Sequence, residues 1–340
     1  MPVLEAHDRG DKQFLPASKT NQATFQDYQR TVGEEAIPLR RGMTIPLDPM
    51  MTVTAISHGG VVIGEQNPVT AQDENDMSVS LLVTFGGFRY FVGGDIESPT
   101  EEKIAARDLV MDVDVYQANH HGSDTSSSDN FLNDVSPTVV VISNGNRADY
   151  QHPRQVIPDR FPAMNPVPTV FQTNRYTRGG DGGNVADALI ADPEAAGEEG
   201  TILVTMNSAA DAYTVTYGTE SHSFTVKNAG SAPSTAVVIE SLLPNPARID
   251  AELETVTLRN AGSDAVSLVG WRLRDRNGGE WDLTTVGTLG PGQSTTVMRN
   301  GVMSLNNAGD EITLLDAGNV TVDVFEYDCS SEGVVIPTGH

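Results

Sequence analysis

From Val237 onward the sequence consists of short runs in which apolar and polar residues alternate, and no other feature constrains the fold as tightly. VVIESLL, ETVTLRNAG, VSLVGWRLRD, GEWDLTT, STTVMR, DEITLLDAG and VTVDVFEY succeed one another, joined by Gly, Asn and Asp. A period of two places successive side chains on opposite faces of a strand, whereas a helix needs a period near 3.6. Seven such runs in roughly one hundred residues predict a β-sandwich. Trp271 and Trp281 are expected to anchor its core or the packing at its edge. Arg272, Arg274 and Arg276 alternate along one run and would form a local basic stripe.

Upstream of a linker-like seam at KNAGSAPST, which starts at Lys227, helices and strands intermix. MTVTAISH (Met51–His58) reads as a strand. Ser78–Phe85 and Phe88–Val92 flank Gly86-Gly87 and predict a tight hairpin. Helices are expected over Pro99–Leu109, over Ser128–Val135 and, interrupted at Pro158, over Pro153–Phe161. Val113–Gln117 and Thr138–Ser143 read as further strands, and Thr201–Asn207 with Asp211–Gly218 as antiparallel pairs. The whole chain is therefore α+β, with domains expected at 1–229 and 236–340.

The formal charge is −25, and lysine occurs only at positions 12, 19, 103 and 227. Such a surface repels nucleic acid phosphates at long range, so any contact with them must be local or bridged by cations. It would also suit a salt-rich environment. With Cys329 the sole cysteine, an intramolecular disulfide and a cysteine-rich zinc knot are both excluded. No run of eighteen apolar residues predicts a membrane span, and MPVLEAHDRGDKQF does not read as a secretory signal.

The chemistry concentrates between Tyr90 and Pro153. GGD at Gly93–Asp95 lets the chain turn at a strand end and presents a carboxylate, although an isolated GGD also serves as a turn cap. NHHGS brings His120 and His121 together, so that one ring could bind a metal while the other supports it. His152, ahead of Pro153, adds a third imidazole; by itself it reads as a loop residue. Asp95, His120 or His121, and His152 lie after separate strands, and loops of that kind converge at one edge of an α/β sheet. Together they would hold one divalent metal able to polarise a phosphoryl or carbonyl oxygen and to acidify bound water.

Four pieces in order carry a resemblance: Asn75-Asp76 with Ser78, GGFRYFVGGD, HHGSDTSSSDNFL and PTVVVISNGNRADYQHP. From about Asp8 to Tyr217 the chain resembles the later part of the metallo-β-lactamase fold (αββα). The group it is most similar to is the hydrolase domains of bacterial DNA-uptake (competence) channel proteins. The resemblance implies zinc or manganese as cofactor, with Asp95, His120, His121 and His152 as metal ligands and Asp95, His121 and Ser123 as catalytic residues. It places Asn75, Asp76, Ser78 and Ser123 beside the substrate or the ligands. The family's upstream His/Asp cluster has no counterpart. Asp8-Arg9-Gly10 resembles the residues just C-terminal to that cluster, so a start downstream of it is expected.

Residues from about Ala236 to Tyr327 resemble a lamin-tail domain, an immunoglobulin-like sandwich. In bacteria this module often sits behind nucleases and other secreted hydrolases, which implies an extracellular or cell-envelope location and contact with a surface polymer. Glu254, Asn260 and Gly262 are expected to maintain turns of that sandwich. The expected function is a metal-dependent hydrolase, a phosphodiesterase or nuclease acting on extracellular DNA. One alternative is a hydrolase of small esters or phosphoesters. The other is a non-catalytic adhesion or scaffold protein acting through the tail.

Overall fold

The computed structural model describes residues 6–10, 19–33, 36–48, 51–65, 74–194, 200–229, 237–247, 253–262, 265–319 and 321–338. The chain forms two compact units, 1–39 with 56–230 and 40–55 with 231–340. From residue 230 on, the seam at KNAGSAPST lies outside the described residues.

In chain order the first fourteen strands and four helices begin with β1 (Ala6–Asp8), α1 (Lys19–Val32), β2 (Ala36–Pro38) and β3 (Thr44–Asp48). Next come β4 (Met51–His58), β5 (Val61–Val62), β6 (Ser80–Phe85), β7 (Phe88–Val92), α2 (Ser98–Ala105) and β8 (Val115–Gln117). After them run α3 (Asp129–Val135), β9 (Val139–Ile142), α4 (Val156–Arg160), β10 (Thr169–Asn174) and β11 (Ile190–Asp192). A meander of β12 (Leu203–Met206), β13 (Ala212–Tyr217) and β14 (Glu220–Thr225) closes the front unit.

The front unit is built on a mixed sheet of order β11-β10-β9-β8-β7-β6-β4. Neighbours from β7 to β11 are parallel, and β6–β7 is an antiparallel hairpin. That hairpin turns through Gly86, whose φ of 56° suits a right-twisting two-residue turn. β9 is a continuous apolar run, VVVI, buried along its length, as a parallel strand covered on both faces requires. Its two faces serve two layers. Val139 and Val141 join Phe88, Val115, Phe171, Tyr213 and Val215 in a core under the β12–β14 meander. On the helix side, Phe91 and Tyr116 meet Phe131 of α3 at ring distances of 5.5 and 5.7 Å.

Several boundaries differ from the sequence expectation. α2 stops at Ala105, and the chain turns at Asp108 with φ 52° instead of continuing to Leu109. α4 is a five-residue helix that contains Pro158 without interruption. The first turn of a helix has no intrahelical acceptor for its N–H groups, so proline costs little there.

The second unit holds β15 (Val237–Leu243), β16 (Thr255–Asn260), β17 (Val266–Ser267), β18 (Arg272–Asp275) and β19 (Glu280–Asp282). It continues with β20 (Thr288–Leu289), β21 (Ser294–Met298), β22 (Asp310–Leu315), β23 (Thr321–Tyr327) and β24 (Ile336–Pro337). Two antiparallel four-stranded sheets, β21-β16-β15-β24 and β19-β18-β22-β23, share one apolar core. Ile239, Val256 and Leu258 come from the first sheet, and Leu273, Trp281, Ile312 and Phe325 from the second. Trp281 is fully buried and donates its Nε1–H to the Met303 carbonyl at 2.9 Å, while Trp271 packs half-buried against the same core. Residues 40–55 join this unit through an Arg41–Glu326 ion pair and through Gly42, where the Val324 carbonyl leaves no room for a side chain.

Candidate functional site

Parallel strands deliver their C-terminal loops to one sheet edge. β7, β8 and β9 end at Val92, Gln117 and Ile142, and their loops carry Asp95, then His120 and His121, then His152. The four side chains that the sequence singled out therefore meet. His121 Nε2 stands 3.5 Å from Asp95 Oδ1, and its Nδ1–H donates to the Ser143 carbonyl at 2.7 Å. The His152 ring lies 5.2 Å from that of His120 and 6.5 Å from that of His121.

His120 faces away from Asp95. Its Nδ1 lies 3.2 Å from Glu97 Oε1 and 3.4 Å from Thr125 Oγ1, and its Nε2 lies 3.5 Å from Asn75 Nδ2. Thr125 in turn donates to Glu97 at 2.9 Å. Asp76 is buried in the short turn Asn75–Met77, and Ser78 Oγ accepts the Asp95 backbone N–H at 3.2 Å. The Ser123 hydroxyl is buried against Thr125 Oγ1 at 2.9 Å.

His120 and His121 both adopt left-handed backbone, with φ of 49° and 56°. Such conformations cost non-glycine residues roughly 1–3 kcal/mol each and persist only where surrounding bonds enforce them. Here the His120 N–H donates to the Gly94 carbonyl and the Ser123 N–H to the His120 carbonyl, both at 2.9 Å. Behind the turn, Glu101 of α2 is buried and accepts from Asn119 Nδ2 (2.8 Å), Ser127 N–H (2.6 Å) and Ser128 N–H (2.7 Å). At Gly93 a Cβ would overlap the Asn119 side chain, and at Gly122 it would lie 2.7 Å from Pro153 Cβ. Glycine is required at both.

Burial, reinforced by the neighbouring His120 and His121, lowers the His152 pKa to about 4, so its ring is neutral near pH 7. Its Nδ1 is buried without a hydrogen-bond partner. With Nδ1–H committed to Ser143, His121 directs Nε2 at the Asp95 carboxylate, and together they present two donors to a cation. A third is missing: among the described residues no group of three or more His, Cys, Asp or Glu side chains is arranged to hold a metal ion. As placed, with His120 turned toward Glu97, these residues do not fit a resident divalent ion.

Stretches of the chain are similar to bacterial DNA-uptake proteins. Competence protein ComA of Neisseria gonorrhoeae is 39% identical over 94 residues, which is 27% of this chain and 13% of that protein. Recombination protein 2 of Haemophilus influenzae is 36% identical over 100 residues, 29% of this chain and 12% of that protein. ComE operon protein 3 of Bacillus subtilis is 30% identical over 84 residues, 25% of this chain and 11% of that protein. The matched stretches thus span only 11–13% of these relatives' length. Residues 230–329 match the Lamin Tail Domain family.

The second unit therefore carries a lamin-tail domain. Within it Glu254 is buried and accepts from the Leu305 N–H at 3.1 Å, and Asn260 Nδ2 donates to the Leu289 carbonyl at 2.9 Å. Both hold loops of the lamin-tail domain. The expected basic stripe is neutralised: Arg272 and Arg274 meet Glu280 at 3.4 and 2.7 Å, and Arg276 meets Glu326 at 2.8 Å.

Glu97, Glu101, Thr125 and Ser143 are the contributors that sequence reasoning missed. Glu101 gave a faint signal, as an acid in the first turn of a short helix; the others have no motif of their own.

Proposed function

We propose that this chain is a non-catalytic adhesion or scaffold protein of the bacterial envelope or exterior, working through its lamin-tail domain on a macromolecular surface or polymer. The observation that carries this reading is the incomplete cation site: a His121–Asp95 pair without a third ligand among the described residues. The tail match and the relation to competence proteins support the partner class and the location. Among the described residues no helix is long and apolar enough to cross a membrane. For the tail we propose an immunoglobulin-like sandwich, supported by its two sheets around one core.

The second reading is a metal-dependent hydrolase of DNA, or of small esters or phosphoesters, built on the later part of a metallo-β-lactamase fold. It is favoured by the convergence of Asp95, His121 and His152 at the C-terminal edge of parallel strands. One experiment separates the two. The full chain is incubated with plasmid DNA and with bis(p-nitrophenyl) phosphate in zinc or manganese, while retention on isolated cell envelopes is measured in parallel. Retention without cleavage supports the scaffold. Cleavage abolished by Asp95→Ala replaces it with the hydrolase.

A further inference from the structure

At one end of the tail's two sheets, the β18–β19 turn faces the chain that leaves β21. Between them runs an open groove of about 700 Å³, whose lining includes Glu254, Asp275, Asn277, Val302, Ser304 and Asn306. Clefts of that size hold a small organic ligand or one stretch of a longer chain. The groove lies wholly within the second unit.

Both walls are fixed by the protein itself. Asp275 accepts the N–H groups of Asn277 and Gly279 at 2.9 and 2.7 Å, and its second oxygen accepts that of Ser304 at 3.2 Å. Glu254 accepts the Leu305 N–H at 3.1 Å and the Ser304 hydroxyl at 3.2 Å. At Gly279 a Cβ would lie 2.7 Å from Met303 Cα, so the turn packs directly on the facing chain. A preformed groove spares its ligand the ordering of loops, which matters most where each contact is weak.

The groups left on the walls select the ligand. Asn277 and Asn306 are exposed, and the Asn277 amide has no hydrogen-bond partner among the described residues. Asn306 uses Oδ1 to accept the Ala308 N–H, and its Nδ2 has no partner among the described residues. A primary amide sets a donor beside an acceptor, and two adjacent hydroxyls of one ring meet both at once. Val302, 81% exposed, offers an apolar surface to the C–H face of such a ring. Anions are disfavoured, because two carboxylates line the groove and the arginines of the flanking loops are taken. Arg299 pairs with Glu254 at 3.4 Å and Arg276 with Glu326 at 2.8 Å. A wholly apolar ligand would strip water from the amides without replacing its hydrogen bonds.

Taking the tail as the attachment module, as proposed above, we infer that this groove binds a neutral glycan, whose vicinal hydroxyls are held by Asn277 and Asn306. The surface polymer is then a polysaccharide, and the β18–β19 turn with the chain after β21 is where it is gripped.

The test is binding of the full chain to an array of neutral and acidic oligosaccharides. Retention on isolated cell envelopes is read in parallel, before and after periodate, which cleaves vicinal diols, and after protease. Neutral oligosaccharides are expected to bind, with affinity unchanged across a salt series because no charge is neutralised. Asn277→Ala with Asn306→Asp removes both amide donors but keeps the acceptor for the Ala308 N–H. It is expected to weaken array binding about thirtyfold, the effect of two lost hydrogen bonds, with tryptophan emission unchanged as the control for folding. Envelope retention should be abolished by periodate and survive protease. Absence of array binding, preference for acidic oligosaccharides, or equal binding by the parent and the double variant would overturn the groove. Envelope retention that persisted in that case would leave attachment standing through another surface. Array binding without envelope retention would uphold the groove and remove the envelope as its location.

Discussion

Replacing Glu101 with alanine tests most directly how the histidine turn is held. Glu101 is fully buried on α2, and its two oxygens accept three hydrogen bonds, from Asn119 Nδ2 and from the backbone N–H groups of Ser127 and Ser128. Truncation removes every one of those acceptors. An orphaned buried donor costs about 1–3 kcal/mol, and water entering the vacated space restores part of the loss. We therefore expect about 3–5 kcal/mol of destabilisation, placed in the front unit. With a urea m-value of about 2 kcal/mol/M, the midpoint should fall by about 1.5–2.5 M.

Both tryptophans lie in the second unit, so far-UV circular dichroism and hydrogen exchange of peptides covering 118–128 report the front unit, with tryptophan emission as the control. Glu101→Gln keeps one acceptor oxygen but turns an NH2 group toward another donor, and should cost about 1–3 kcal/mol. Burial raises the Glu101 pKa above its ordinary value of 4.5 despite the three donors. The folded protein then holds the proton more firmly than the unfolded chain. Its contribution to stability is fully present below pH 4.5 and is lost as pH rises through the raised folded value, a slope that Glu101→Gln should abolish. A loss under about 1 kcal/mol for Glu101→Ala, or exchange of 118–128 unchanged, would refute the clamp.

Three further outcomes are expected. Gly93→Ala drives a methyl group into Asn119, which Glu101 prevents from yielding, and should cost about 1–3 kcal/mol with shifted imidazole resonances of His120 and His121; unshifted resonances would contradict this. His152 should titrate by NMR near pH 4, and because its folded pKa lies below its ordinary 6.5, its stabilising share is complete above pH 6.5 and is lost as pH falls toward 4; a midpoint above pH 6 would show the ring to be solvated. Trp281→Ala should cost about 3–5 kcal/mol by tail unfolding, since it empties the centre of the core and strands the Met303 carbonyl; a cost below about 2 kcal/mol would move the core's anchor elsewhere.

Periodicity was the part of the fold legible in the sequence. The seven alternating runs contain eight of the tail strands, whereas the two-residue β20 and β24 are too short to leave a pattern. The β6–β7 hairpin was visible because Gly86 marks the turn, and the convergence of Asp95 with the histidines because each lies in the loop that follows a strand. Hidden was everything set by distance along the chain. Residues 40–55 join the tail unit through Arg41 and Gly42, whose partners Glu326 and Val324 lie nearly three hundred positions away. Nothing in HHGS announces left-handed backbone, and His120 turns toward Glu97 because Glu97 and Thr125, two loops apart in sequence, already bond to each other.

Buried carboxylates that fasten loops differ from the histidine turn at the front edge, and the difference bears on where selective chemistry resides. In the tail, Glu254, Asp275 and Asp310 are buried, and each accepts backbone N–H groups: Leu305 on Glu254, Gly279 on Asp275, Glu311 on Asp310. Those carboxylates fasten loops, and fastening explains them fully. At the front edge, two consecutive left-handed histidines and a His152 Nδ1 without a partner are retained although each opposes stability. The surrounding bonds are strong enough to enforce that arrangement, and a loop that needed only to close could have used glycine instead. Local rules broken at a cost, and held broken by a dedicated clamp, mark positions kept for what their side chains face.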